Sequence, residues 1–307
     1  MTFGEAMVSL RADGLIRLGT RYESSIAGAE SNVAIGLSRL GHRVAWVGTV
    51  GADQQGQFVL RTLRAEGVEV SSLVDSSRPT GLVMVEQRLG STSRVSYYRS
   101  QSAGSTVSEQ EVKVLLSPEV KLLHVTGITA SLSPTAARAV NVSVAAAKEM
   151  GITVSFDVNY RSQLWSKSDA REILRPLALQ ADLVMGSPEE LELVGDGSAD
   201  EVTQALISHG AIAVVIKRGP AGVTLVTPDD LQHVQALGVE VNSTVGAGDA
   251  FVAGFLSGYL AKLDFKDAAY RGVACAAFSV STPGDWEGLP TPQELHLLTM
   301  DQGDSVR

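Results

Sequence analysis

The 307-residue chain is 44% hydrophobic and 19% charged, with 30 glycines, one cysteine and a formal net charge of −9. That apolar content sustains a large buried core, in one α/β domain or two smaller ones, while the acidic balance argues against nucleic acid or an anionic membrane surface as partner. A lone cysteine rules out an intrachain disulfide framework and fits a reducing cytosol, so a cytoplasmic location is expected.

In chain order, Leu15 to Ile26 reads as extended and half-exposed, and Ser31 to Leu40 as a helix. Val44 to Gly48 is a strand-like apolar run, and the Asp53 that follows it is most cheaply a helix N-cap. Thr80 to Arg99 repeats the extended pattern: Val83, Val85, Val95 and Tyr97 fall at period two around a turn at Leu89–Thr92. These two extended stretches predict a small antiparallel sheet, discontinuous in sequence. Lys121–Val125, Ile152–Asp157, Asp182–Met185 and Ala211–Lys217 are nearly continuous apolar runs, with an Ala-rich helix predicted over Pro134–Met150. Strands buried on both faces look like this, and helices cover them, so the main body is expected to be a parallel-sheet α/β domain of βαβ units. Ala250 to Leu263 is a helix with Phe251, Phe255, Leu256, Tyr259, Leu260 and Leu263 on one face. It carries Lys262 and is too short to span a bilayer. No basic segment followed by an apolar stretch opens the chain. Cys275, inside an apolar run, reads as a small core residue.

Several segments could carry chemistry. Gly246, Ala247, Gly248 and Asp249 open the apolar helix. Two glycines let backbone approach a ligand, and the free N–H groups and dipole of a helix start attract anions. A carboxylate there would repel phosphate, yet it suits a base facing a hydroxyl while neighbouring N–H groups hold a transferring phosphoryl group. The plainer alternative is a Gly-rich helix start with Asp favouring the dipole. Gly28, Ala29, Glu30, Ser31 and Asn32 precede and open the first helix; Asn32 could bond sugar hydroxyls as donor and acceptor, or the segment is a loop and cap. Asp157–Arg161 ends a buried strand, where ligands of open α/β sheets lie, and Arg161 could bind a carboxylate in bidentate fashion. Tyr97 and Arg99 would suit a polyol bearing a carboxylate, or are a packed aromatic and a solvated cation. Lys217, Arg218, Gly219 and Gly222 form a tight turn that could approach a nucleotide or be a simple hairpin. No Gly-x-x-x-x-Gly-Lys-Ser/Thr loop occurs, the five histidines have no metal-ligand spacing, and no dinucleotide fingerprint follows the first strand.

Taken together, Gly28–Asn32 with Gly41 and Gly51, followed by Ser243–Asp249, resemble the ribokinase-like (PfkB) carbohydrate kinases over nearly the whole chain. The likeness is strongest to the family's 2-keto-3-deoxygluconate kinases, in Gly28–Asn32, Val95–Arg99 with Ser102–Ser105, and Phe156–Arg161 with Leu164–Trp165. The resemblance implies a mostly parallel central sheet with helices on both faces plus a small β-sheet lid. The core would comprise residues 1–10, 27–79 and 104–307, and the lid 11–26 and 80–103. It implies ATP-dependent phosphorylation of the sugar's terminal hydroxyl to a 6-phosphate, with Asp249 as base. Gly28–Asn32 would hold the hydroxyls, and Tyr97, Arg99 and Arg161 the oxo-acid end. Asn159, Ser187 and Lys217–Gly222, with the 246–248 loop, would line the ATP site, and Glu190 would serve Mg2+ indirectly. Three positions depart from the family: Ser243 replaces the Asp that helps form a K+ site, Ser187 replaces an Asn, and Gln87 stands where relatives often place a substrate-facing Tyr. The lid implies a homodimer.

Overall fold

The alternation of apolar runs with amphipathic helices folds, in a computed structural model that describes residues 1–89 and 92–299, into two sheets of unequal size. The short strand β1 (Thr2–Phe3) is followed by β2 (Met7–Ala12), β3 (Tyr22–Ala27), α1 (Ala29–Arg39), β4 (Ala45–Gly51), α2 (Gln54–Ala65) and β5 (Glu69–Asp75). Next come β6 (Leu82–Leu89), β7 (Thr92–Tyr98), α3 (Glu109–Leu115), β8 (Leu122–Thr126), α4 (Gly127–Ser131), α5 (Pro134–Glu149), β9 (Thr153–Asp157) and α6 (Lys167–Gln180). The chain continues through β10 (Leu183–Gly186), α7 (Pro188–Val194), α8 (Ala199–Ser208), β11 (Ala213–Lys217), β12 (Val223–Val226), β13 (Leu231–Val234), α9 (Ala247–Leu260) and α10 (Phe265–Val280).

The nine-stranded sheet has the order β13-β12-β11-β10-β9-β8-β1-β4-β5. Neighbours are parallel except at β11–β12 and β12–β13, which form hairpins. Every residue of β8 and β10 is buried. Successive residues of a strand point to opposite faces, and two apolar clusters result. Ala213 and Val215 of β11 join Ile35, Phe255 and Val273 on one side. Val214 and Ile216 join Val140, Leu174 and Leu206 on the other. Helices therefore cover both faces, as the continuous apolar runs required. Among the described residues no helix is long and apolar enough to cross a membrane.

The small sheet has the order β3-β2-β6-β7. It differs from the sequence expectation in three ways. Only Tyr22–Ile26 of the Leu15–Ile26 stretch is strand; ahead of it, Thr20 Oγ1 ties a turn by accepting from Arg17 N and facing the Leu15 and Arg17 carbonyls. Its partner is β2, which starts at Met7 and was not anticipated, although Ser9 and Arg11 alternate there with Val8, Leu10 and Ala12. The β2–β6 pair is parallel, not antiparallel. Both strands leave the large sheet in the same direction, β2 straight after β1 and β6 after β5. Of the turn at Leu89–Thr92, Gly90 and Ser91 lie outside the described residues.

β1 lies between β8 and β4, so the chain winds one way to β5 and the other way to β11. The crevice at the carboxyl ends of the strands flanking such a reversal is where ligands of open α/β sheets bind. Glu5, Asp157 and Lys217 are all carried there.

Candidate active site

Asp249 is in the first turn of α9, where acidic side chains complement the helix dipole. Gly246 caps that helix at φ 77°, a left-handed conformation, and a Cβ on it would collide with the Asp285 carbonyl. No other residue type fits this corner without moving one of the two segments. Asn32, buried in α1, donates from Nδ2 to Asp249 Oδ2 at 2.8 Å. Asn32 Oδ1 has no partner among the described residues and remains a free acceptor. Burial pushes the Asp249 carboxyl up to about 6, and the Asp157 charge adds to the shift; the Asn32 bond, Arg161 and Lys217 oppose it.

The first turn of α9 separates two cavities. On one side is a pocket of about 100 Å3, lined by Gly28, Asn32, Tyr97, Arg99, Arg161 and Asp285 together with Gly246 and Asp249. The small sheet supplies its outer wall through Val83, Val95 and Tyr97. On the other side is a cleft of about 630 Å3, where Ala247 and Gly248 meet Lys217, Gly219 and Gly222 of the β11–β12 turn. Its remaining walls are apolar, including Leu237, Val239, Phe251 and Val273. Consecutive residues of one helical turn thus face a polar pocket and a mostly apolar cleft.

Lys217 ends β11 and Asp157 ends β9. The Lys217 ammonium bonds both Asp157 oxygens, at 2.7 and 2.8 Å, and Asp157 is fully buried. Burial works against the ammonium charge, but Asp157, Glu190 and Asp249 more than offset it and hold the Lys217 pKa above its ordinary value. A methyl group built on Gly248 would have this ammonium as its nearest neighbour, at 3.8 Å. The space above the helix start is therefore open and faces a fixed cation. The first N–H groups of a helix have no partners within it, so this corner favours an anion.

The sequence-derived residues divide. Gly28, Ala29, Asn32, Tyr97, Arg99, Arg161, Gly246 and Asp249 line the pocket; Lys217, Gly219, Gly222, Ala247 and Gly248 line the cleft. Ser31 and Glu30 do neither. Ser31 Oγ bonds the Gly28 carbonyl at 2.9 Å, and Glu30 is buried beneath, taking the Thr126 and Thr129 hydroxyls at 2.6 Å each. Burial raises the Glu30 pKa to about 7. Arg218 turns outward to Thr224 Oγ1 at 3.0 Å. Ser187 and Glu190 form the capping box of α7, and the second Glu190 oxygen accepts from Tyr160 N at 2.9 Å. A serine serves that cap well. Asn159 is buried at φ 39° and bends the chain between Asp157 and Arg161. Ser243 Oγ accepts from Val245 N at 3.2 Å. Gln87 belongs to β6, and its side chain lies outside the described residues.

The two arginines are not equivalent. Arg99 is clamped by the buried Glu5 carboxylate, with Nε at 2.7 Å and the terminal nitrogen at 2.5 Å, and the Ser102 hydroxyl holds the other Glu5 oxygen. Arg161 is exposed and forms no ion pair among the described residues; one of its nitrogens reaches only the Tyr160 carbonyl at 3.3 Å. Sequence reasoning did not single out Glu5 or Asp285, and it placed Asp157 in a candidate segment without giving it a role of its own. For Glu5 and Asp157 a signal existed, since each is an acid at the carboxyl end of a strand. Asp285 sits in a loop with no such marker.

Residues 1–292 match the pfkB family carbohydrate kinases. The chain is 38% identical over 303 residues to 2-dehydro-3-deoxygluconokinase of Bacillus subtilis strain 168, covering 96% of this chain and 93% of the relative. It is 33% identical over 306 residues to the 2-dehydro-3-deoxygluconokinase of Thermoproteus tenax, covering 97% and 93%. Its fold is similar to the fructokinase of Vibrio cholerae O395 solved with fructose, ADP and calcium, at a TM-score of 0.85 and 30% identity, covering 97% of this chain and 98% of that one. The two-sheet architecture, the helix start between two cavities and the matched length all agree: the chain belongs to the pfkB family of carbohydrate kinases.

Proposed function

We propose that this kinase transfers the γ-phosphoryl group of ATP to the terminal hydroxyl of 2-keto-3-deoxygluconate (2-dehydro-3-deoxygluconate), giving the 6-phosphate. The observation that carries the reading is the position of Asp249, in the wall between a pocket holding an unpaired arginine and a cleft suited to a nucleotide. Arg161 offers the sugar acid's carboxylate a bidentate partner. Arg99, with its charge balanced by Glu5, keeps donors for an oxo or hydroxyl oxygen. Asn32 offers Oδ1 to a hydroxyl. Asp249 then takes the proton of the reacting hydroxyl, its Oδ2 held in line by Asn32.

The apolar cleft fits a nucleobase, and Lys217 with the N–H groups of residues 246–248 fits the phosphates. These groups stabilise the charge of the transferred phosphoryl group, and catalysis is mainly positioning and electrostatics. Among the described residues no three His, Cys, Asp or Glu side chains are arranged to hold a metal. Both Glu190 oxygens are taken by backbone N–H groups. That donor set fits magnesium carried on the nucleotide phosphates and water, where it would neutralise phosphate charge.

A panel of sugars assayed by ADP release with ATP and magnesium tests the assignment. The keto acid should be preferred over fructose, ribose, 2-deoxy-5-ketogluconate and ketodeoxygalactonate. Equal or better turnover of fructose would overturn the substrate and leave the kinase standing. One observation favours that second reading: with Arg99 neutralised by Glu5, Arg161 alone among the described lining residues is a cation without an ion pair, and it alone distinguishes the pocket from one for a neutral ketose.

The small sheet also supports a homodimer built through the lids. Ile16, Leu18, Tyr22 and Tyr98 are exposed beside and along it, and exposed apolar surface of this kind marks interaction sites. Light scattering on the purified chain should give twice the monomer mass; a monomer would remove the proposal.

A further inference from the structure

On the reading that the start of α9 receives the transferred phosphoryl group, we infer that Arg11 of the small sheet takes the place of a monovalent cation beside it, so that this kinase needs no potassium. A third cavity, of about 30 Å3, lies next to that helix start. In it Ser9 and Arg11 of β2 face Ser243 and Val245, just ahead of Gly246, and Asp285 and Glu287 of the loop after α10. Position 243 belongs to the K+ site that the family resemblance implies, so a potassium ion would lie here.

By size the cavity admits one ion, and the donor set decides. A potassium ion needs a shell of oxygens in place of its hydration. Here Ser243 brings a hydroxyl where a carboxylate is expected, and that hydroxyl accepts from Val245 N at 3.2 Å. The Val280 carbonyl behind it accepts from Asn242 N and Ser243 N, at 2.7 and 3.1 Å. Glu287 Oε2 accepts from the N–H groups of Asp285 and Trp286, at 2.9 and 3.1 Å. The other Glu287 oxygen faces Arg11, whose terminal nitrogen lies 3.5 Å from it and 3.4 Å from Glu23. Arg11 Nε is buried and has no partner among the described residues. A fixed guanidinium with a spare N–H repels a second cation in so small a space. The residues therefore do not fit a potassium ion: a carboxylate is missing at position 243, and a positive charge stands in the cavity.

Arg11 also holds the segment that shapes the helix start. It faces Glu287, Glu287 fixes the Asp285 and Trp286 N–H groups, and the Asp285 carbonyl packs against Gly246. Trp286 Nε1 donates to the Ile26 carbonyl at 3.0 Å, a second tie to the small sheet. Burial, with Asp249 and Glu287 nearby, pushes the Asp285 carboxyl up to about 7, and the Arg11 charge pulls against that rise. Arg11 lines neither the acceptor pocket nor the nucleotide cleft. It is a positioning residue, acting through Glu287 and through its charge, and it arrives on the same sheet that walls the acceptor pocket.

The test uses the full chain with ATP, magnesium and the best acceptor of the sugar panel. Wild-type kcat and KM for ATP should agree within about twofold between potassium chloride and tetramethylammonium chloride at equal ionic strength, and so should the melting temperature with ATP present. Arg11→Met should lower kcat/KM for ATP about threefold or more, as for loss of a partly exposed charge, and Arg11→Lys should recover most of it. The double variant Arg11→Met/Ser243→Asp removes the fixed cation and supplies a carboxylate. Potassium should raise its kcat/KM for ATP about threefold or more over tetramethylammonium, and raise its melting temperature as well. Wild-type kcat/KM that rises more than about threefold with potassium overturns the inference, whether or not the variants fold. So does an Arg11→Met loss that Arg11→Lys leaves unrecovered, which marks a packing role, or a double variant indifferent to the two salts. An unchanged KM for ATP in Gly248→Ala would instead remove the reading of the helix start on which this rests.

Discussion

Asn32 and Asp249 are 217 positions apart in the chain, and a 2.8 Å hydrogen bond from Nδ2 to Oδ2 joins them. The bond ties the helix that begins after Gly28 to the helix whose first turn lines the apolar cleft. It also fixes which carboxylate oxygen remains for the acceptor. Replacing the carboxylate should therefore affect chemistry far more than binding. Asp249→Asn is expected to lower kcat by about 10²- to 10⁴-fold, the usual contribution of a general base, with acceptor affinity by calorimetry nearly unchanged. Turnover within tenfold of wild type would remove Asp249 from that role.

The pH profile should carry the same signature. Asp249 titrates at about 6 in the folded chain against an ordinary 3.8. A raised carboxyl binds its proton more tightly when folded. Its contribution to stability is thus complete below about 4 and is lost as pH rises through about 6. Activity runs the other way, since only the ionised form accepts a proton. The kcat/KM profile should fall on the acid side with an apparent pKa near 6.

Arg161 favours the ionised form of Asp249. Arg161→Gln should raise KM for the keto acid about tenfold or more, leave fructose nearly unaffected, and move the acid limb to higher pH. Steady-state kinetics across pH for the two sugars separates the carboxylate contact from the through-space effect.

The Lys217–Asp157 pair combines burial with two short bonds. Removing one partner leaves the other charged and unpaired. Lys217→Met is expected to cost about 3–5 kcal/mol in urea unfolding, and the double variant Lys217→Met/Asp157→Leu substantially less. A loss in the double variant equal to the sum of the losses in Lys217→Met and Asp157→Leu alone would show that the pair is not coupled.

Gly246→Ala puts a methyl group into the Asp285 carbonyl at a positive φ. The backbone strain alone is about 1–2 kcal/mol, and the clash must also displace either α9 or the 283–287 segment. A lowered melting temperature with a raised acceptor KM is expected. Gly248→Ala meets only Lys217, at 3.8 Å, so it should keep stability and weaken ATP instead.

Much of this was legible in the residues. Continuous apolar runs determine strands covered on both faces, because no polar edge can face water, and they gave β8 to β11, while the Ala-rich pattern gave α5 between the first two. Local texts at residues 28–32 and 246–249 contain Gly28, Ala29, Asn32, Gly246 and Asp249 of the smaller pocket, since small residues at a helix start have a local physical reason. Asp53 capping α2 was local in the same way: it accepts from Gly56 N at 2.7 Å. What the sequence could not express was pairing at a distance. Arg99 and Arg161 read alike as candidate carboxylate binders, and only the packing of Glu5 against Gly104 and Ser102 separates the neutralised cation from the free one. Glu30 reads as a sugar contact, but α1 turns it inward to Thr126 and Thr129. Asp285 has no neighbouring motif, and it reaches the pocket only because the loop after α10 closes on Gly246. Secondary structure and turn chemistry are set by near neighbours, so sequence alone determined them; charge compensation and pocket membership depend on contacts between remote segments, so only the tertiary structure decided those.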